Sequence, residues 1–336
     1  MHHIISYSIL IGLFLFFKIL LKNLKSKFYE DHQKFAGQER VPLIGGIIMF
    51  CYYSYNISIN DYFFLFFSFL ILLLGMSSDN NLLQSPRLRL FLQSLILLIF
   101  IYFSNLEITD LRSDYLDQFL SNYYFKLFFT TFCLLTLING SNFIDGLDGL
   151  NLGYFFLIII VIFSLDNSLV IDVNEKQIIT IFYIVSFLLL LNIFNYLYLG
   201  DSGSYLIGFI FGIFLIDLNS NNYFISPYFI ALLLWYPAFE NLFSIIRKKV
   251  INKDPFNPDN YHFHQLLFLY FKKRENKFIS KFPNILSSIS ILTYNFIIFL
   301  VGMNYVSQTK ILLVLISINI LLYLTLYAVF KTKVTK

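Results

Sequence analysis

The sequence predicts an all-α polytopic membrane protein of about eleven transmembrane helices (ten if two short spans merge), with an active site built from cytoplasmic loops. Three observations carry that expectation. The 336 residues are 58% hydrophobic and only 13% charged, where a soluble chain carries roughly 25% charged residues. Apolar runs near the ~20-residue spanning length recur along the whole chain. The basic residues, finally, sort to alternate connections, as the positive-inside bias requires.

Taken in order, the first run, 4–21, is too long for a signal peptide. Its lysines (Lys18, Lys22, Lys25, Lys27) follow the run, so a retained anchor starting outside is expected. Runs 42–58 and 61–78 are short and separated by a turn between Asn56 and Asn60. Further spans fall at 89–105, 125–140, 150–165, 177–196, 205–220, 224–244, 283–303 and 310–330. Residues 245–282 form the longest inner connection, and loops beyond about 12–15 residues are usually functional or disordered. Pro255, Pro258 and the apolar run 266–271 predict local order within it. The chain thus reads as one integral-membrane domain, 1–336, with 245–282 as a long cytoplasmic loop. Cys51 and Cys133 fall in spans, which predicts buried thiols and no disulfide framework.

With the N-terminus outside, the inner segments are 22–41, 79–88, 141–149, 197–204, 245–282 and 331–336. Counting Lys18 and Arg89 at the inner ends of their spans, these hold all of the 24 basic residues except Arg112, Lys126, Lys176 and Lys310. The net charge of +4 therefore reflects topology and calls for no nucleic-acid partner.

The polar residues that remain gather on the same inner side: Arg40-Val-Pro-Leu-Ile-Gly-Gly46, Ser77-Ser-Asp79, Asn139-Gly-Ser-Asn-Phe-Ile-Asp-Gly-Leu-Asp-Gly-Leu150, Gly200-Asp-Ser-Gly-Ser204 and Pro258-Asp-Asn-Tyr-His-Phe-His264. An ionised Asp at the centre of a membrane helix costs about 2.5–3.5 kcal/mol, so Asp145 and Asp148 between two long apolar runs are expensive as filler. The outer acids (Glu107, Asp110, Asp114, Asp117, Asp166, Asp172, Glu175) carry no glycine or histidine pattern and read as solvated surface. Glycines let a backbone approach phosphate oxygens, and helix starts attract anions. Separated acids suit magnesium, which takes one or two carboxylates and completes its shell with water and phosphate. Bland readings stand beside these. Gly45-Gly46 alone fits tight helix packing, and Gly200-Asp-Ser-Gly-Ser204 contains an ordinary helix cap. His262 and His264, at i, i+2, share a side only in extended chain and lack structural-zinc spacing.

Together the segments resemble the polyprenyl-phosphate N-acetylhexosamine-1-phosphate transferases (glycosyltransferase family 4), the group containing the undecaprenyl-phosphate GlcNAc-1-phosphate and phospho-MurNAc-pentapeptide transferases. The resemblance runs over almost the whole chain and rests on the Arg40–Gly46, Asn139–Leu150, Leu199–Ser204 and Asn257–His264 segments. It implies transfer of a sugar 1-phosphate from a UDP-N-acetylhexosamine to polyprenyl phosphate with release of UMP, at the cytoplasmic face of a bacterial inner membrane. It implies Mg²⁺, with Mn²⁺ as a substitute, on Asp201 and Asn142. It further implies Asp79, Asp145, His262 and His264 as catalytic residues, Asp79 orienting or deprotonating the lipid phosphate. The implied substrate-binding set is Arg40, Asn139, Gly146, Leu147, Asp148 (toward uracil), Asn192 and Ser204. Besides the two substrates and the bilayer, a second copy of the chain in a homodimer is an open partner.

Departures bear on the assignment. One acid of the family's pair is Ser78, or Asn80 if the register shifts by one. The third histidine position is Gln265, which leads away from the MurNAc-pentapeptide enzyme. Tyr196 stands where a basic residue is common. The alternative from another class is a transporter, but transporter sites lie near the membrane midplane, often between repeated halves. Here the polar groups collect at one face.

Overall fold

The computed structural model describes residues 2–22, 41–56, 62–168, 174–257, 259–274 and 282–335. Arg40 and Pro258 lie outside these. Among the described residues the regular elements are all helices: α1 (His2–Lys22), α2 (Gly45–Asn56), α3 (Tyr62–Asp79), α4 (Pro86–Ser104), α5 (Asp114–Leu120), α6 (Tyr123–Ile144), α7 (Leu150–Ser168), α8 (Glu175–Ile193), α9 (Gly200–Asn221), α10 (Pro227–Leu233), α11 (Trp235–Val250), α12 (Phe263–Lys272), α13 (Pro283–Met303) and α14 (Thr309–Thr335).

Each of the eleven expected spans contains a helix among the described residues. Eight helices among the described residues are both long and apolar enough to cross a bilayer, and α10 with α11 makes a ninth crossing if taken as one span. That pair is bent by 73°. Pro237 has no N–H for the carbonyl of Leu233, four residues back, and the Tyr154 hydroxyl donates to that carbonyl at 2.8 Å. Helix α2 is only 12 residues long, and the apolar part of α7, Leu150–Leu165, is likewise short. The outward faces of α1, α4 and α14 present Ile4, Phe16, Phe91, Phe103 and Leu321, each more than half exposed. Such a surface fits lipid and would be a liability in water. The chain is a multi-pass membrane protein.

Helix α9 is the central post, buried almost continuously from Ser202 to Ile216 with α2, α3 and α6 packed round it. Small residues permit this closeness. A Cβ on Gly75 would lie 2.3 Å from Ser202 Cα, one on Gly46 2.6 Å from the Gly203 nitrogen, and one on Gly212 2.5 Å from Leu134. The packing reading of Gly46 therefore holds. Cys51 and Cys133 are free and half-buried, less enclosed than expected. The C-terminal half packs α7 against α8 and α13, α11 against α6, and α12 against α13 and α14. Residues 245–282 are not one loop: α11 runs on to Val250, and α12 starts at Phe263, with His262 as its N-cap and His264 in its first turn. The ends of α3, α6, α8 and α11 and the starts of α4, α7 and α9 meet at one pole of the bundle, around a single cleft.

Candidate active site

One wall of the cleft is acidic. Asp79 closes α3 and accepts the backbone N–H groups of Asp201 (2.7 Å) and Ser202 (3.1 Å), which have no partner within α9. The approach depends on Gly200, whose φ is +68° and whose added Cβ would lie 2.8 Å from the Asp79 carboxylate. Asp201, thus fixed, accepts from Asn142 Nδ2 at 2.6 Å on Oδ1 and from Arg89 Nη1 at 2.9 Å on Oδ2. The Ser78 hydroxyl donates to the same Oδ2 while accepting from Arg89. Asn80 instead turns out to solvent, its amide donating to the Met76 carbonyl. The paired position is therefore Ser78-Asp79, with a hydroxyl in place of one carboxylate.

The turn between α6 and α7 forms the floor. Asp145 caps α6 and faces the cleft; burial, then the charge of Asp201, pushes its carboxyl well above the usual range. Asp148 and Asn284 bond reciprocally, Asp148 N–H to Asn284 Oδ1 at 2.9 Å and Asn284 Nδ2 to Asp148 Oδ2 at 3.0 Å. Burial raises the Asp148 carboxyl to about 6. Asn192 accepts the Gly149 N–H at 2.6 Å and donates to the Leu197 carbonyl, tying the turn to the end of α8. Asn139 donates to Gln93 Oε1 at 2.9 Å.

The opposite wall carries the histidines. His262 Nδ1 lies 2.9 Å from Glu240 Oε1, on α11, and its ring rests against Phe143 and His264. The His262 N–H donates to Gln265 Oε1, so Gln265 caps α12. Arg247 grips both oxygens of Asp259 at 2.7 and 3.0 Å. Burial alone would raise the Asp259 carboxyl, but that grip holds it below the usual range. His264 is fully buried beside Gly146, with no hydrogen-bond partner at either ring nitrogen. Burial lowers its pKa to about 3, so it is neutral.

The cleft between the walls has a volume of about 790 Å³. It brings together Asp79, Asn139, Asn142, Asp145, Gly146, Leu147, Asp148, Asn192, Asp201 and His262, which sequence placed in separate segments. Two expected residues stand off it: Ser204 lies behind Asn142, accepting its amide at 3.0 Å, and His264 lies behind Gly146. Arg89, Glu240, Asn284 and Arg247 were not legible as site residues, while Ser78 and Asp259 stood in the polar inner segments without an assigned role. Of the first four, only the two arginines were hinted at, by their position in inner, basic segments.

Among the described residues no three His, Cys, Asp or Glu side chains form a ready metal cage. Magnesium needs none, since water and substrate phosphates fill most of its shell. Asp201 and Asn142 offer adjacent oxygen ligands, with Asp145 facing the same cleft. The donor set fits a hard divalent cation.

Residues 62–219 match the family model described as glycosyl transferase family 4. The chain is 27% identical over 281 residues to the undecaprenyl-phosphate alpha-N-acetylglucosaminyl 1-phosphate transferase of Escherichia coli O157:H7, covering 79% of this chain and 75% of that protein. It is 29% identical over 245 residues to the protein of the same name from Thermotoga maritima, covering 72% and 73%. The Salmonella typhi counterpart is 25% identical, with 72% and 68% covered.

Proposed function

We propose, from the match of residues 62–219 to the glycosyl transferase family 4 model, that the chain transfers a sugar 1-phosphate to polyprenyl phosphate. The donor is a UDP-N-acetylhexosamine, with UDP-GlcNAc and undecaprenyl phosphate the best-supported pair given the relatives' names. UMP is released and a lipid-linked cell-envelope glycan is begun. The site faces the cytoplasm of a bacterial inner membrane, in keeping with the basic inner segments. The observation that carries the reading is the convergence of Asp79, Asn142, Asp145, Asp148 and Asp201 on one cleft at a membrane pole.

A phosphate monoester has a second pKa near 6, so the lipid phosphate reaches the cleft largely as a dianion and needs little help from a base. Its oxygen bonds to the β-phosphorus of the donor while the bond from that phosphorus to the UMP oxygen breaks, UMP keeping the electron pair. Alignment and charge neutralisation supply most of the rate in such transfers. Asp201 and Asn142 would hold Mg²⁺ (or Mn²⁺), which when bound neutralises charge on the diphosphate. Asp79 commits both oxygens to α9 amides, which suits fixing Asp201 better than taking a proton. The turn Gly146-Leu147-Asp148, braced by Asn284 and Asn192, suits the flat uracil, and Asn139 lines the same floor. His262 reaches donor phosphate or sugar, while His264 backs the turn. Direct in-line attack is preferred over a phosphosugar held on an Asp.

Purified protein given UDP-GlcNAc, undecaprenyl phosphate and Mg²⁺ should release UMP only when all three are present. UMP release without the lipid, or none with any UDP-N-acetylsugar, would overturn the reading. A phosphosugar trapped on an Asp without acceptor would overturn the direct attack.

A further inference from the structure

We infer that Glu240 and the last membrane helix, α14, are a positioning device that keeps the proton on Nδ1 of His262, so that this histidine exchanges protons and hydrogen bonds with the cleft through Nε2 alone. Glu240 is 1% exposed and carries no matching cation on its own helix turn. Its Oε1 meets His262 Nδ1 at 2.9 Å and the Phe263 N–H at 3.3 Å. Its Oε2 accepts the Tyr323 hydroxyl of α14 at 2.8 Å. A buried carboxylate only accepts hydrogen bonds, so the nitrogen facing it must carry hydrogen whether the ring is neutral or cationic. The tautomer of an imidazole is set by the bond its other nitrogen makes. Here the choice is made from behind, by a residue that does not line the cleft.

The other nitrogen, Nε2, stands on the cleft side, 3.8 Å from Asp259 Oδ1. Asp259 is itself held by both Arg247 nitrogens, so it competes weakly for that position. The charged and titratable groups around the ring are therefore Glu240, Asp259, Arg247 and His264, with Phe143 covering one face. Tyr327, one turn beyond Tyr323, donates to the Tyr261 carbonyl at 3.1 Å. Thus α14 braces the loop before the histidine as well as the carboxylate behind it. In water, neutral imidazole carries its proton mainly on Nε2; the site inverts that. When neutral, His262 offers the cleft an acceptor, suited to a hydroxyl or amide N–H of a sugar; when protonated, it offers a donor suited to phosphate.

The inference rests on the proposed transferase reading only for what Nε2 touches, and its test is independent of turnover. Full-length protein labelled with nitrogen-15 in histidine, with His262 assigned by the spectrum lost in His262→Gln, should show the neutral ring as the Nδ1–H tautomer. Glu240→Leu should return the ring toward the Nε2–H form. Tyr323→Phe, the milder variant, should retain the Nδ1–H pattern with a broadened signal. In UMP release, Glu240→Gln should lower kcat about 10–100-fold, the range for loss of a group that orients an active imidazole, with KM for the donor changed less than about threefold. A neutral wild-type ring with its hydrogen on Nε2 and none on Nδ1 would overturn the inference even if the enzyme turns over. Absence of turnover with the Nδ1–H pattern intact would overturn the transferase reading instead.

Discussion

The two walls of the cleft handle charge in opposite ways. On the acidic wall, Asp79 and Asp201 converge with Arg89 as the cation paired to Asp201, and Asp145 on the adjoining floor has its carboxyl raised by burial and then by the charge of Asp201. On the histidine wall each charge has a partner: Arg247 with Asp259, and Glu240 with His262, Phe263 N–H and Tyr323. The first wall is left to be completed by cation and substrate; on the second the carboxylates are paired within the protein, and His262 Nε2 is the group left facing the cleft. Loss of Asp201 should therefore show in activity, and loss of the buried Arg247–Asp259 pair first in stability.

The largest expected effect breaks the histidine wall. Arg247→Ala strands the Asp259 carboxylate, and removing one partner of a buried pair costs about 3–5 kcal/mol; a fall of that size in unfolding free energy, read by denaturant titration, is expected. On the acidic wall Asp201→Asn should lower kcat by about 10²–10³-fold, as loss of a charge-organising group does, with an unchanged thermal midpoint. Retained turnover at saturating Mg²⁺ would remove Asp201 from the metal. Gly75→Ala tests what places that wall: a methyl 2.3 Å from Ser202 Cα forces α3 off α9, at about 1–3 kcal/mol, and should lower activity together with stability.

The smallest effect concerns pH. Free histidine titrates near 6.5, whereas His264 resists protonation down to about 3. Below pH 6.5 the unfolded chain binds the proton and the folded chain does not, so stability declines as pH falls toward 3. Asp148 works the other way: raised from 3.8 to about 6, it binds its proton first in the folded chain, so its contribution is lost as pH rises through 6. His264→Gln should flatten the acid-side fall of the thermal midpoint, measured between pH 6.5 and 4.5; an unchanged slope would place a protonated His264 in the fold.

Helix positions were legible because lipid demands long apolar runs, which composition shows directly. The break at Leu234 was less so, since Pro237 within an apolar stretch is tolerated in membrane helices when another donor serves the freed carbonyl, as Tyr154 does. At the site, Asp201, Asn142 and the Asp145–Asp148 turn stood out because polar residues beside membrane spans are costly without a use. Glu240 and Tyr323 did not, because each is a lone polar group in an apolar helix and their partnership spans 83 residues of sequence. Gln265 looked like a missing histidine; its side chain is the cap that holds His262 in place.

The central claim is that the cleft moves a phosphosugar, not a bare sugar. UDP-GlcNAc radiolabelled at its β-phosphorus, incubated with the protein, undecaprenyl phosphate and Mg²⁺, should deliver the label to the lipid fraction while unlabelled UMP appears in equal amount. Label remaining in a water-soluble nucleotide while sugar enters the lipid would contradict the account.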